Sequence, residues 1–338
     1  MADDVFISTA MVETRERNDF WREATRPIFD TTLPEDSTSF LEGTIRSRSV
    51  GSLLIGSSSF NRQRYNRDRR IIVQGGLDHY LVQVFVSGAM KGDFNGIDVN
   101  ADVGDICILD LAQTLRSQAE AGSRLSIAIP RHEIEKTIGP RNLHGTILKS
   151  EWPMTRLITA CLRELLSLEG PLPGMQAHAV QDALTTLLTA ALKGEPLEQT
   201  ADHSPLGLAL RQRILTFIDQ NIGSPNLSPE SIQHRFNVSR SHLYRAFATD
   251  GGVAKVLRDK RLDIAFLELS ETGNARSIAE TAYSLGFSSG NQLLRSFRAR
   301  FGMTPSEARE KGLASQREKP QPHLQIHFTD LRNRSVRE

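Results

Sequence analysis

Two stretches of this sequence, fifty residues apart, follow the same pattern. "SRSHLYRAF" (239–247) sets Leu243 and Phe247 one helical turn apart, and "SSGNQLLRSF" (288–297) does the same with Leu293 and Phe297. Residues four apart share one face of a helix, so each stretch is predicted to bury its Leu/Phe pair and expose the rest. Arg245 and Arg295 hold equivalent places. A further short helix precedes each copy. Ser228, followed by Pro229 and Glu230, caps one that buries Ile232 and Phe236; a turn at Asn237-Val238 then leads to a second cap, Ser239. In the second copy Ile278 and Ala282 form the core of the leading helix. Leu285-Gly286-Phe287 makes the turn, and Ser288 is the expected cap, from which the second copy counts one residue more than the first. Two helices at a sharp turn, repeated, predict a pair of helix-turn-helix motifs at about 229–250 and 278–301.

Such short helices need a partner for their apolar faces. The connecting "VAKVLRDKRLDIAFLELSE" (253–271) offers Val256, Leu257, Leu262, Ile264, Ala265, Leu267 and Leu269. One rigid helix there would hold both motifs at a fixed spacing, which suits successive major grooves roughly 34 Å apart on one DNA face. The outward faces then read Ser241, Tyr244 and Arg245 in the first copy, and Gly290, Asn291, Leu294 and Arg295 in the second. An arginine can donate a bidentate pair to guanine and an asparagine to adenine, while Tyr244 and Leu294 suit thymine methyl groups. Arg240, Arg298 and Arg300 are expected on phosphate. Gly290 brings no side chain to a face where one is expected.

Residues 206–312 resemble the AraC/XylS-type DNA-binding domain. The resemblance rests on Ile278-Ala279, Gly286-Phe287-Ser288, Arg295-Ser296-Phe297, Phe301-Gly302-Met303-Thr304-Pro305 and Arg309, with Arg261-Leu262 and Ala265 in the linking helix. It implies sequence-specific binding to double-stranded DNA, with the base-reading positions falling on the seven outward residues just named. Leu293 stands where an aromatic residue is usual. The charge distribution agrees: residues 206–312 hold 15 Lys/Arg against 10 Asp/Glu, whereas residues 1–205 hold 21 against 27.

The first two hundred residues have a different texture. Segments such as "GSLLIGSSSF", "HYLVQVFVSG", "DICILDL" and "SRLSIAIP" are short, β-branched and punctuated by Gly and Asp, which predicts antiparallel strands over about 40–130 in a small barrel. "ERNDFWREATRPIF" and "RHEIEKTIG" are short helix patterns, and two longer amphipathic helices are predicted within about 150–194, either capping the barrel or forming a dimer seam. The expected fold class is α+β in two domains. Residues 1–196 make a β-barrel with flanking helices, 197–205 a linker, 206–312 an all-helical domain, and 313–338 a basic tail. The order of strands, helices and DNA-binding domain is similar to the branch of the family with a cupin-like sensor, which implies a small-molecule effector and a homodimer.

Other chemistry finds little support. His79 is the one histidine among the barrel strands, too few for a metal site, and it is expected as a structural or rim residue. His144 lacks a catalytic partner nearby in sequence. Cys107 and Cys161 lie in apolar contexts and are expected as reduced core thiols. No glycine-rich phosphate loop or nucleophile elbow occurs, so no cofactor is expected. The acidic N-terminus does not read as a signal peptide and no apolar run is long enough for a membrane span, so a cytoplasmic protein is expected. The resulting expectation is a transcription regulator, not an enzyme, that binds DNA, an effector, a second copy of itself and RNA polymerase. Two rivals stay open: a constitutive regulator whose barrel only dimerises, and a barrel enzyme fused to a DNA-binding domain.

Overall fold

The structure is a computed structural model describing residues 4–139, 141–194, 205–224, 226–271 and 276–315. Among the described residues it divides into two compact units, one up to residue 194 and one from residue 205. The linker 197–205, apart from Pro205, and the tail beyond Ser315 lie outside the described residues.

The first unit contains twelve strands: β1 (Val5–Ser8), β2 (Asp30–Thr32), β3 (Gly43–Val50), β4 (Leu53–Phe60), β5 (Gln63–Arg67), β6 (His79–Ser87), β7 (Met90–Asp93), β8 (Asp98–Ala101), β9 (Ile106–Asp110), β10 (Leu115–Ala119), β11 (Gly122–Pro130) and β12 (Thr146–Leu148). Its helices are α1 (Arg17–Thr25), α2 (Arg69–Gly75), α3 (Arg131–Ile138), α4 (Pro153–Ser167) and α5 (Gly174–Lys193). The expected barrel is built as two antiparallel sheets, one of order β1-β3-β4-β11-β6-β9-β12 and one of order β2-β5-β10-β7-β8. Three strands fall outside the expected 40–130 window: β1, β2 and β12. Each has three or four residues, too short for alternation to show. Helix α2, which sequence patterning did not reveal, is capped by Asp68, whose carboxylate accepts from the Arg70 and Ile71 amides.

Alternation along each strand sends successive side chains to opposite faces, and in the seven-stranded sheet both faces are buried. Leu81 and Phe85 of β6, Leu54 and Phe60 of β4 and Ala128 of β11 face the five-stranded sheet, where they meet Tyr65, Met90 and Leu115. Tyr80, Val82 and Val84 of β6, with Ile55, Ile106 and Ile127, face the helices and pack on Ile134, Ile158, Leu162, Leu184 and Leu188. The two long helices therefore cap the sheet. This explains why "HYLVQVF" and "ICILD" are buried residue after residue. Gln181 of α5 fastens this layer: its Oε1 accepts from the Ser52 amide at 2.7 Å, and its Nε2 donates to Glu133 at 3.3 Å. Cys107 is buried, but Cys161 is only half-buried.

Two arginines lie within this unit and are treated differently. Arg67 is fully buried, and its guanidinium donates to the carbonyls of Leu111, Pro27 and Ile28. Burial still lowers its pKa to about 10. Arg124 points between the sheets, its guanidinium 4.5 Å from the Phe60 ring centroid, 4.8 Å from Phe85 and 5.2 Å from Tyr65. It donates once, to Gln83 at 3.2 Å, and leaves Nε and one terminal nitrogen without a partner. Burial lowers its pKa, and the groups acting against that are Tyr65 and Cys107, both neutral near pH 7. Ring contacts are worth up to about 2 kcal/mol when desolvated, whereas a buried unpaired ion costs several kcal/mol.

The second unit is helical: α6 (Pro205–Asn221), α7 (Pro229–Phe236), α8 (Arg240–Ala246), α9 (Val253–Ser270), α10 (Ile278–Ser284), α11 (Gly290–Phe301) and α12 (Pro305–Ser315). Helix α8 ends at Ala246. There Phe247 turns out of helical geometry and a 3-10 turn, Ala248–Asp250, leads to Gly251 and Gly252, both at positive φ. No helix among the described residues is long and apolar enough to cross a membrane.

Trp21, 2% exposed, supplies a test of this packing. Its indole N–H donates to Gln63 at 3.1 Å, and a Cβ on Gly43 would lie 2.3–2.7 Å from its ring. Gly43→Ala is expected to destabilise the first unit by about 1–3 kcal/mol, seen as a lower urea midpoint with altered tryptophan emission. An unchanged midpoint would contradict this packing.

Candidate nucleic-acid interface

The two helix-turn-helix motifs are assembled from α7–α8 and α10–α11, and each depends on end-capping. Ser228 accepts from the Ser231 amide while Ser231 accepts from the Ser228 amide; Ser277 and Glu280 form the same reciprocal pair. Each turn contains a residue in the left-handed region, Asn237 at φ 50° and Gly286 at φ 74°. After each, the next amide reaches back to the leading helix: Val238 donates to Gln233 O at 3.1 Å and Phe287 to Ala282 O at 2.9 Å. Up to this point the copies run in step at an offset of 49.

The second helices of the two motifs, α8 and α11, run at an offset of 50, so the extra residue lies in the second turn. The cap of α11 is Ser289, not the expected Ser288; its Oγ accepts from the Gln292 amide just as Ser239 accepts from His242. Ser288 is the inserted residue, and its amide and hydroxyl both donate to Gln292 Oε1, at 2.7 and 2.9 Å. Two adjacent serines could each have been the cap, and only the backbone distinguishes them. With the cap corrected, the reading frames align residue for residue: Ser241 with Asn291, Tyr244 with Leu294, Arg245 with Arg295. Gly290 is the first residue of α11 and aligns with Arg240.

Side-chain exposure follows this frame. Leu243, Phe247, Leu293 and Phe297 are completely buried, whereas Ser241, Arg245, Asn291, Arg295, Arg298 and Arg240 are exposed. Leu294 is 38% exposed, and Tyr244 is half-buried beneath the Arg240 guanidinium, which lies 5.4 Å from its ring. Gly290 is partly covered, and a Cβ there would make only an ordinary contact, 3.8 Å from Ala279. Among the described residues, Arg245, Arg295 and Arg298 have neither an ion pair nor a hydrogen bond from the side chain.

Arg300 does not share this face. Its Nε and a terminal nitrogen donate to the two Asp263 oxygens at 2.7 and 2.8 Å, and a third nitrogen pairs with Asp259 at 3.0 Å. It fastens α11 to α9, so the expected phosphate contact is corrected to an internal clamp. Spacing alone could not separate it from Arg298, because the acids that capture it lie 37 and 41 residues away in sequence.

Helix α9 sets the position of both motifs. Val253 and Leu257 join the core of the first, with Ile214, Ile218, Ile232, Leu243 and Phe247. Further along, Phe266 meets Phe301 and Phe297 at ring distances of 4.7 and 6.0 Å. Between them Arg261 donates to the carbonyls of Leu227 (2.8 Å) and Ser224 (3.4 Å) in the approach to α7. It also underlies the second turn: a Cβ on Gly286 would come within 3.0–3.1 Å of its guanidinium. Arg309 of α12 closes the far side by donating to Arg276 O at 2.6 Å.

The histidines singled out in the sequence lie in the first unit. His144 accepts from the Asp110 amide through Nδ1 at 3.0 Å, so Nε2 carries the proton and donates to Thr114 O at 3.1 Å. His79 is 1% exposed, with both ring nitrogens unpartnered; burial lowers its pKa to about 4 and keeps it neutral. Among the described residues no three His, Cys, Asp or Glu side chains converge so as to hold a metal ion.

The chain matches an AraC-binding-like domain over residues 37–193 and a helix-turn-helix domain over residues 232–311. It is 23% identical over 239 residues to the Msm operon regulatory protein of Streptococcus mutans, covering 69% of this chain and 85% of that protein. It is 30% identical over 106 residues to the uncharacterized HTH-type transcriptional regulator YpdC of Escherichia coli, covering 31% of this chain and 37% of that one. The crystal structure of the AraC-like transcriptional activator CuxR shares the fold, with a TM-score of 0.54 at 19% identity over 79% of this chain and 96% of that one.

The contrast between Arg300 and Arg298 can be measured. Arg300→Ala is expected to lower stability by about 1–2 kcal/mol, the range of a bidentate, partly shielded pair, and to leave the salt dependence of DNA binding unchanged. Arg298→Ala is expected to leave the melting curve alone and reduce the slope of log K against log salt by about one. The reverse assignment of effects would refute the clamp.

Proposed function

We propose that this chain is a transcriptional regulator of the AraC family, and that its helical unit reads DNA through α8 and α11 in successive major grooves, under control of a small molecule bound in its first unit. The single observation supporting the DNA reading is that Arg245, Arg295 and Arg298, on the exposed faces of α8 and α11, have no ion pair or side-chain hydrogen bond among the described residues, while Arg211, Arg261, Arg300 and Arg309 are engaged within the unit.

Arg245 and Arg295 each donate to a guanine edge, and Asn291 to an adenine. Ser241, Tyr244 and Leu294 complete the base contacts, with the two larger side chains against thymine methyl groups. Arg240 and Arg298 hold phosphate. Gly290 takes part only through its backbone amide, which as the first of α11 is free of the helix ladder. RNA polymerase is a further partner. Pairing of two chains is part of the proposal, and the exposed Leu157, Leu168 and Met175 of the α4–α5 hairpin are a surface available for it.

The effector part draws support from a cavity of about 110 Å³ between the two sheets of the first unit, lined by Trp21, Tyr65, Gln83 and Arg124 among others. Apolar walls with a few polar groups are what a small-molecule site has; a domain that only dimerised would have no use for the space.

Selection of bound sites from random duplex DNA tests the reading. Arg295→Ala is expected to weaken the selected site by about 1–3 kcal/mol and relax preference at one base pair. A footprint and base preference equal to wild type would sink the assignment of α11.

A further inference from the structure

The interior of the first unit has been left open in an unusual way. One row of inward residues crosses four strands, from Ser47 through Gly56 and Ser126 to Gln83, each paired with the next in the sheet register. At Ser47 and Ser126 a Leu or Ile would reach into this space, as Leu54 and Leu81 do one step along, while Gly56 is held to glycine by the Arg46 carbonyl oxygen, 2.6 Å from where its Cβ would stand. Small residues in a row hold the floor down and leave the volume above it empty. Arg124, one step along β11 from Ser126 on the same face, rises at the end of this floor. The Ser47 hydroxyl, buried and without a partner, stands at the other end.

Arg124 is the feature that needs an explanation. A guanidinium has five N–H donors and no way to shed its proton near neutral pH. Here it is 3% exposed, pinned by one bond to Gln83 and held among three rings, with two nitrogens unpartnered. The other fully buried arginine, Arg67, shows what this fold does with a cation it keeps for structure: it surrounds the group with backbone carbonyls. Arg124 has only neutral neighbours, and it is oriented in a cavity.

We propose that this cavity binds a small organic carboxylate, whose anionic group pairs with Arg124 while its apolar body lies against Trp21, Phe60 and Tyr65. The inference rests on the effector reading given above and names the chemical class of that effector. Gln83 is a positioning residue that fixes the guanidinium plane, and Ser47 is placed to hydrogen-bond a polar substituent at the far end. The modest volume selects acids about the size of one ring or a short branched chain.

The test uses the full-length protein with hexanoate and phenylacetate as probes, their amides as uncharged matches, and chloride and phosphate as inorganic controls. Binding is read by calorimetry, melting temperature and Trp21 emission. At least one acid is expected to bind ten-fold or more tighter than its amide and to raise the melting temperature. Arg124→Met, which replaces the cation with an apolar chain of similar length, is expected to fold with an equal or higher melting temperature and to lose at least ten-fold in acid affinity. Equal binding of acid and amide, acid binding that survives in Arg124→Met, an equal shift with chloride or phosphate, or no binding of either acid at 10 mM on the order-of-magnitude scale of weak ligands would each overturn the proposal. Affinity for the selected DNA site is measured alongside. If an acid binds but DNA affinity does not change, the carboxylate site stands and the effector reading falls. If a neutral metabolite alone changes DNA affinity, the effector reading stands and the carboxylate site falls.

Discussion

Helix α9 is buried in two cores at once, and the geometry of the helical unit depends on that shared burial. Its first turns complete the packing around Leu243 and Phe247, and its later ones stack Phe266 on Phe297 and Phe301. Neither helix-turn-helix could hold a hydrophobic interior without it, since helices of seven to twelve residues are marginal alone. Arg261, bonded to carbonyls before α7 and lying under the turn at Gly286, and Arg300, clamped to Asp259 and Asp263, make the connection rigid. Polar side chains on α9 thus do the work of alignment while its apolar face does the work of stability.

The first unit solves a different problem with a different layering. A sheet buried on both faces is costly to interrupt, and its outer face packs isoleucine, valine and leucine, with Tyr80 among them, against three helices. All the looseness is on the inner face, where small and polar residues stand in line. The contrast between the two faces of the same strands, Ile55 beside Gly56, or Ile127 beside Ser126, separates what holds the unit together from what the unit is open to receive.

Much of this was legible in the sequence, and the reasons differ by region. Helices α8 and α11 were visible because a Leu/Phe pair at helical spacing occurs twice, and the strands were visible as short apolar segments between Gly and Asp turns, a pattern that does not say whether the two long helices cap them. Strands β1, β2 and β12 were not, because a few residues carry no period. The choice between Ser288 and Ser289 turned on one hydrogen bond, and both were chemically fit to cap. Arg300 and Arg298 look alike in sequence and differ only through Asp259 and Asp263 on another helix. Arg124 gave no signal at all: an arginine amid "GSRLSIAIP" reads as a residue near a strand end, and its position inside the domain follows from the register of β11 against β4 and β6.

The single residue inserted at Ser288 breaks the symmetry between the two motifs. One half of the unit offers Arg240 and Tyr244 where the other offers Gly290 and Leu294, and the two reading helices follow turns of different length. A DNA sequence fitted to this unit therefore has a head and a tail. Under the DNA reading proposed above, turning the duplex end for end would bring different side chains to each half of it, so the unit carries a direction of its own.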